Sequence, residues 1–100
     1  MIYQVQITQI ASEQIDEAYA WLVERTPLHA PGWHEGLLKA IGSLEAFPIR
    51  CPLVPEEEDS TGGARQLLYG NKHHAYRIIF EVHKNIVTIL QVRHAARRFG

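Results

Sequence analysis

Two strongly β-prone runs, Ala75 to His83 and Ile86 to His94, stand only two residues apart, and this spacing leaves the end of the chain little choice of fold. Lys84-Asn85 is long enough for a hairpin turn and too short for a crossover. If Tyr76, Ile78, Phe80 and Val82 face a covering layer, then Arg77, Ile79 and Glu81 face outward. On the last run alternation decides nothing. Ile86, Thr88, Leu90 and Val92 form one set and Val87, Ile89, Gln91 and Arg93 the other, and both are apolar.

What precedes the hairpin must supply the covering layer. Ile2 to Thr8 alternates, with Tyr3, Val5 and Ile7 on one face, which predicts a half-buried strand. Ser12 is a fair N-cap, with Glu13, Asp16 and Glu17 behind it. Ile15, Ala18, Tyr19, Leu22 and Val23 then recur at helical spacing, and Thr26-Pro27 ends that helix. Pro31 suits the opening turn of a second helix, whose stripe is Trp33, Leu37, Leu38, Ile41, Leu44 and Phe47, closed by Pro48. Ile49 to Gly63 reads as a loop, on its prolines, its Gly62-Gly63 pair and the run Glu56 to Asp59. Arg65 to Tyr69 is a short strand. The expected order is β-α-α-β-β-β in one domain over residues 1–100. The fold class is α+β: a helical hairpin packed on one face of a mostly antiparallel four-stranded sheet, whose other face stays open.

A chain of 100 residues buries roughly two-thirds of its unfolded surface, so stabilisation by a partner chain is in keeping with its size. No run of about 18 apolar residues is present to span a membrane. Met1 to Val5 lacks the layout of a signal peptide. The single cysteine, Cys51, excludes an internal disulfide and points to a reducing cytoplasm. The net charge of −1 conceals a division. Up to Ala64 there are three basic residues against ten acidic ones; from Arg65 onward there are seven against Glu81 alone. Four of the six histidines lie in the basic part. Such segregation suits a basic surface facing an anionic partner, although two solvated surfaces that merely differ would also produce it.

The Tyr76-Arg77-Ile78-Ile79-Phe80 strand and the terminal Val92-Arg93-His94-Ala95-Ala96-Arg97-Arg98 segment, behind a helical hairpin, resemble the RelE/ParE toxins over essentially the whole chain. The resemblance implies a toxin of a type II toxin–antitoxin system, arresting growth when free and neutralised by a cognate antitoxin in a hetero-oligomer. RelE-like toxins cut messenger RNA in the ribosomal decoding site, and ParE-like toxins poison DNA gyrase. Fold does not choose between them.

Metal-free RNA cleavage requires help for the attacking 2′-hydroxyl, charge stabilisation at phosphorus and a proton for the leaving oxygen. The resemblance implies Arg65, Arg77, His94 and Arg97 for these tasks in a nuclease, with Arg77 as phosphate clamp and His94 as acid or base. Leu67 stands where some relatives carry a second lysine. Phe99 stands where they often carry a terminal tyrosine; it can stack on a base but transfers no proton. A binding poison needs none of this chemistry, and the incomplete set favours the gyrase reading slightly. In either case Arg77, Arg93, Arg97, Arg98 and Phe99 are the candidates for nucleic-acid contact. No cofactor or metal is called for. His73-His74 points to opposite faces if extended and reads as a turn or strand edge. Cys51 stands in a loop without a neighbouring histidine. Glu56 to Asp59 reads as a solvated loop, or as a segment touching the antitoxin or the basic face. By alternation, exposed Ile79 or Ile89 would be apolar surface for the antitoxin to cover.

Overall fold

A computed structural model describes residues 2–55, 62–71 and 74–95. The elements are β1 (Gln4–Ile7), α1 (Gln9–Arg25), α2 (Ala30–Gly42), two single 3-10 turns (Ser43–Glu45 and Pro48–Arg50), β2 (Arg65–Tyr69), β3 (Tyr76–His83) and β4 (Ile86–His94). The sheet order is β1-β4-β3-β2, with β1 parallel to β4 and the other neighbours antiparallel. The helices lie on one face of it, as expected. Phe80, Ile78, Val87 and Ile89 of the sheet, Leu37 and Ile41 of α2, and Ala11 and Ile15 of α1 form the main core.

The first helix begins earlier than its sequence suggests. Thr8, rather than Ser12, is the N-cap; its Oγ1 accepts from Ala11 N–H (3.1 Å). The same hydroxyl donates to Leu90 C=O (3.3 Å), so one side chain starts the helix and ties it to β4. Thr8→Ala is expected to lower stability by about 1 kcal/mol, while Ser12→Ala at an exposed position leaves it nearly unchanged. Thermal unfolding of the two variants checks this. Thr26 caps the other end of α1, and Pro31 sits in the first turn of α2, both as expected.

The stripe of α2 runs less far than its spacing suggests. Helical geometry ends at Gly42, and Phe47 takes a left-handed conformation (φ 56°). The chain turns there, so Phe47 stands in solvent instead of extending the core. Arg50 holds that turn, with Nη1 donating to the carbonyls of Ala46 (3.0 Å) and Phe47 (3.1 Å). Leu38 and Val23 are also exposed, as is Ile7 at the end of β1.

On β4 both alternating sets are used. Ile79 pairs with Gln91 and Phe80 with Ile89, so Leu90 is an extra residue in a β-bulge. Before the bulge Val87 and Ile89 face the helices; after it Val92 does. Beyond Ile89, β1 has ended, and α1 takes over the vacated edge: Gln14 Oε1 accepts from Val92 N–H (2.7 Å).

The face away from the helices is not left open. Leu53 bridges Arg65, and Val54 and Ala64 lie over Ile79, with Leu90 packed beside them. Ile79 is therefore buried, and Ile89 is fully enclosed in the main core, so neither is the exposed apolar residue that alternation suggested. Exposed apolar surface lies elsewhere, on Leu28, Ile2, Phe47, Ile10, Leu53 and Leu68.

Candidate functional site

Register and alternation distribute the candidate residues over two faces. Tyr76 pairs with His94 and Arg77 with Arg93. Tyr76 belongs to the helix-side core, so His94 is on that side, and Arg77 and Arg93 are on the other.

On the helix side the aromatic rings form a row. Tyr69 and Trp33 lie 6.4 Å apart, Trp33 and Tyr76 5.1 Å, and Tyr76 and His94 5.1 Å edge-on. The Tyr69 hydroxyl donates to Trp33 C=O (2.9 Å), fastening β2 to α2. The Trp33 indole Nε1 is buried without a hydrogen-bond partner among the described residues, and nothing there accounts for it. His94 opens on a cleft of about 300 Å³ between α1 and the end of β4, lined also by Gln14, Glu17, Trp21 and Arg93. Arg25 lies over the Trp21 ring (4.1 Å), a cation–π contact at the rim.

On the opposite side, Arg77 and Arg93 are directly across from one another. Like charges in this register repel. Two glutamines carry part of the load: Arg77 Nε donates to Gln66 Oε1 (2.9 Å) and Arg93 Nη1 to Gln91 Oε1 (3.4 Å). Two planar guanidinium groups side by side can grip a phosphate or carboxylate.

Arg65 is at neither place. Its Nη1 donates to Cys51 C=O (2.7 Å) and Ile49 C=O (3.2 Å), pinning the segment before β2. Arg97, Arg98 and Phe99 lie outside the described residues, as do His73 and the run Glu56 to Asp59. Arg77 and Arg93 are thus brought together, whereas Arg77, His94 and Arg65 are not. Arg77 and His94 leave opposite faces of the sheet.

Cys51 is buried, and among the described residues no three His, Cys, Asp or Glu side chains are grouped as metal ligands. No described helix is long and apolar enough to cross a membrane.

Gln14, Gln66, Gln91 and Gly36 were not singled out from sequence. Glutamines carry no periodic signal, but a glycine inside a helical stripe does signal close approach. At Gly36 an added Cβ would overlap the Tyr69 hydroxyl.

Residues 5–99 match the family model described as the ParE toxin of the type II toxin–antitoxin system, parDE. No curated protein sequence matches the chain. Among solved structures, a chain of the chromosomal ParDE toxin–antitoxin system from P. aeruginosa superposes with a TM-score of 0.75 at 18% identity, covering 93% of this chain and 96% of that one. A chain of the RelBE2 toxin–antitoxin complex from Mycobacterium tuberculosis superposes with a TM-score of 0.58 at 21% identity, covering 94% and 99%.

Proposed function

Because the chain belongs to the ParE toxin family of type II toxin–antitoxin systems, we propose that it arrests growth by binding DNA gyrase and is held inactive by a cognate antitoxin. Its place of action is then the cytoplasm, in a toxin–antitoxin hetero-oligomer until the antitoxin is lost. The observation that favours binding over cleavage is the separation of Arg77 from His94 by the sheet. A nuclease needs the phosphate clamp and the proton carrier at one phosphorus, and Arg65 is occupied with backbone carbonyls. A binding poison needs only a surface. Arg77 and Arg93 supply a basic one, and the sequence that follows carries two more arginines, Arg97 and Arg98.

The experiment is controlled expression in growing bacteria, with pulse-labelled DNA and protein synthesis followed over the first minutes. DNA synthesis is expected to fall first, with an SOS response, and purified protein should inhibit supercoiling by gyrase. A prompt fall in protein synthesis with cut messages, abolished by Arg77→Ala or His94→Ala, would instead establish a RelE-like endoribonuclease. Unchanged growth would leave an inactive relative that only binds its antitoxin.

A further inference from the structure

One seam of α1 departs from the apolar stripe of the helix. Ala11, Ile15 and Ala18 pack into the main core, but Gln14, Glu17 and Trp21, spaced three and four residues apart, turn toward the end of β4. There β1 has already ended, and Ala18 offers only a methyl group to the space it vacates. The result is the cleft of about 300 Å³ on which His94 opens. That is the small end of the range for ligand pockets, about 300–1,000 Å³.

The cleft combines flat rings with a polar edge. Trp21, Tyr76 and His94 contribute the rings. Trp21 is 39% exposed although it is the largest side chain of the helix, so an apolar ring surface meets solvent here. The polar edge is Gln14 and Glu17, neighbours on one helix face with Cβ atoms about 5–6 Å apart. The Gln14 amide is oriented: its Oε1 accepts from Val92 N–H (2.7 Å), which leaves Nε2 as a donor. A Glu17 carboxylate can only accept. Among the described residues neither Gln14 Nε2 nor the Glu17 carboxylate has a partner.

A ligand that satisfies both must present an acceptor to Gln14 and, beside it on the same edge, donors to Glu17. Its faces must be flat and apolar. Guanine has this order of groups: O6 accepts, and N1–H and the N2 amino group follow as two parallel donors for one carboxylate. Adenine would turn its N1 acceptor to Glu17, and two acceptors repel. A lysine or arginine side chain suits Glu17 but has no acceptor for Gln14, and Arg25 already lies over the Trp21 ring (4.1 Å). We propose that this cleft binds a guanine base, with Gln14 and Glu17 reading its edge and Trp21 covering one face. The base arrives as a free nucleotide or within a single strand, and the chemistry of recognition is the same for both. The site lies on the helix side of the sheet and does not rest on the gyrase reading.

The test uses the full-length chain. Its two tryptophans are Trp21 and Trp33, so in a Trp33→Phe variant the indole fluorescence reports on Trp21 alone. GMP is expected to quench it and to bind at least about tenfold more tightly than AMP. Glu17 is exposed, so Glu17→Gln should leave the fold intact. It exchanges an acceptor for a donor, and it should weaken GMP binding by about tenfold or more and remove the preference over AMP. Ala18→Leu fills the cleft and should abolish binding. If Trp33→Phe or Ala18→Leu does not fold, calorimetric titration of the wild type and of Glu17→Gln decides. An oligothymidylate carrying one guanine separates the two sources. Tighter binding than GMP assigns the site to single strands, and weaker binding assigns it to the free nucleotide. Absence of binding by both at millimolar concentration overturns the proposal. So does AMP bound as tightly as GMP, or GMP binding that is indifferent to Glu17→Gln.

Discussion

Phe80→Ala is expected to destabilise the protein by about 3–5 kcal/mol, much of what a small domain has to lose. Phe80 is the largest fully buried side chain among the described residues, and it sits where all the layers meet. Its strand neighbours are Arg65 on β2 and Ile89 on β4, and it shares one apolar cluster with Leu37 and Ile41 of α2 and Ala11 and Ile15 of α1. Truncation removes the ring's transfer energy and leaves a cavity, because strands on either side and helices above cannot close over it together. Urea unfolding should show a lower midpoint at unchanged slope, the mark of lost stability in an intact fold. Ile79→Ala on the other face, where only Val54, Ala64 and Leu90 surround the side chain, should cost less. Equal losses would mean that the two clusters share the core evenly and would contradict the architecture described above.

The second large effect is expected at Gly36, where two terms compete. Alanine is a better helix former than glycine by about 1 kcal/mol, so propensity alone makes Gly36→Ala stabilising. The added methyl, however, would occupy the place of the Tyr69 hydroxyl, which donates to Trp33 C=O (2.9 Å) one turn back on α2. Overpacking costs about 1–3 kcal/mol, and losing the hydrogen bond adds about 0.5–1.5 kcal/mol. The clash therefore wins, and Gly36→Ala should destabilise. A double-mutant cycle isolates the cause. In a Tyr69→Phe background, with the hydroxyl gone and only ring carbons at 3.1 and 3.3 Å left against the added methyl, Gly36→Ala should destabilise much less. If it destabilises equally in both backgrounds, the contact is not the reason for a glycine there.

Much of this was legible in the residues. The hairpin about Lys84-Asn85, the end of α1 at Thr26-Pro27 and the start of α2 near Pro31 each depend on local chemistry, and each is found where expected. The inward set of β3 was legible as well, because only one of its two alternating sets is uniformly apolar. Ser12 is the N-cap that local pattern suggests, because acidic residues follow it directly. The choice of Thr8 depends on a hydroxyl that also reaches Leu90, 82 residues away in sequence, and no local pattern reports that. Arg65, Arg77 and His94 could be picked out by type and by family likeness. Their distribution over two faces follows from strand parity and the bulge.

Sequence alone therefore determined the order of elements, the two-layer fold class and the basic character of the β2–β4 segment. Turn length, proline position and hydrophobic period act over a few residues and leave few alternatives. Tertiary structure decided what depends on residues far apart in the chain. It placed Leu90 in a bulge, so that both sets of β4 serve the core, and it folded the segment before β2 over Ile79. It set Arg77 beside Arg93 and put the sheet between Arg77 and His94. It also brought Gln14 and Glu17 of α1 to the end of β4, where β1 no longer reaches.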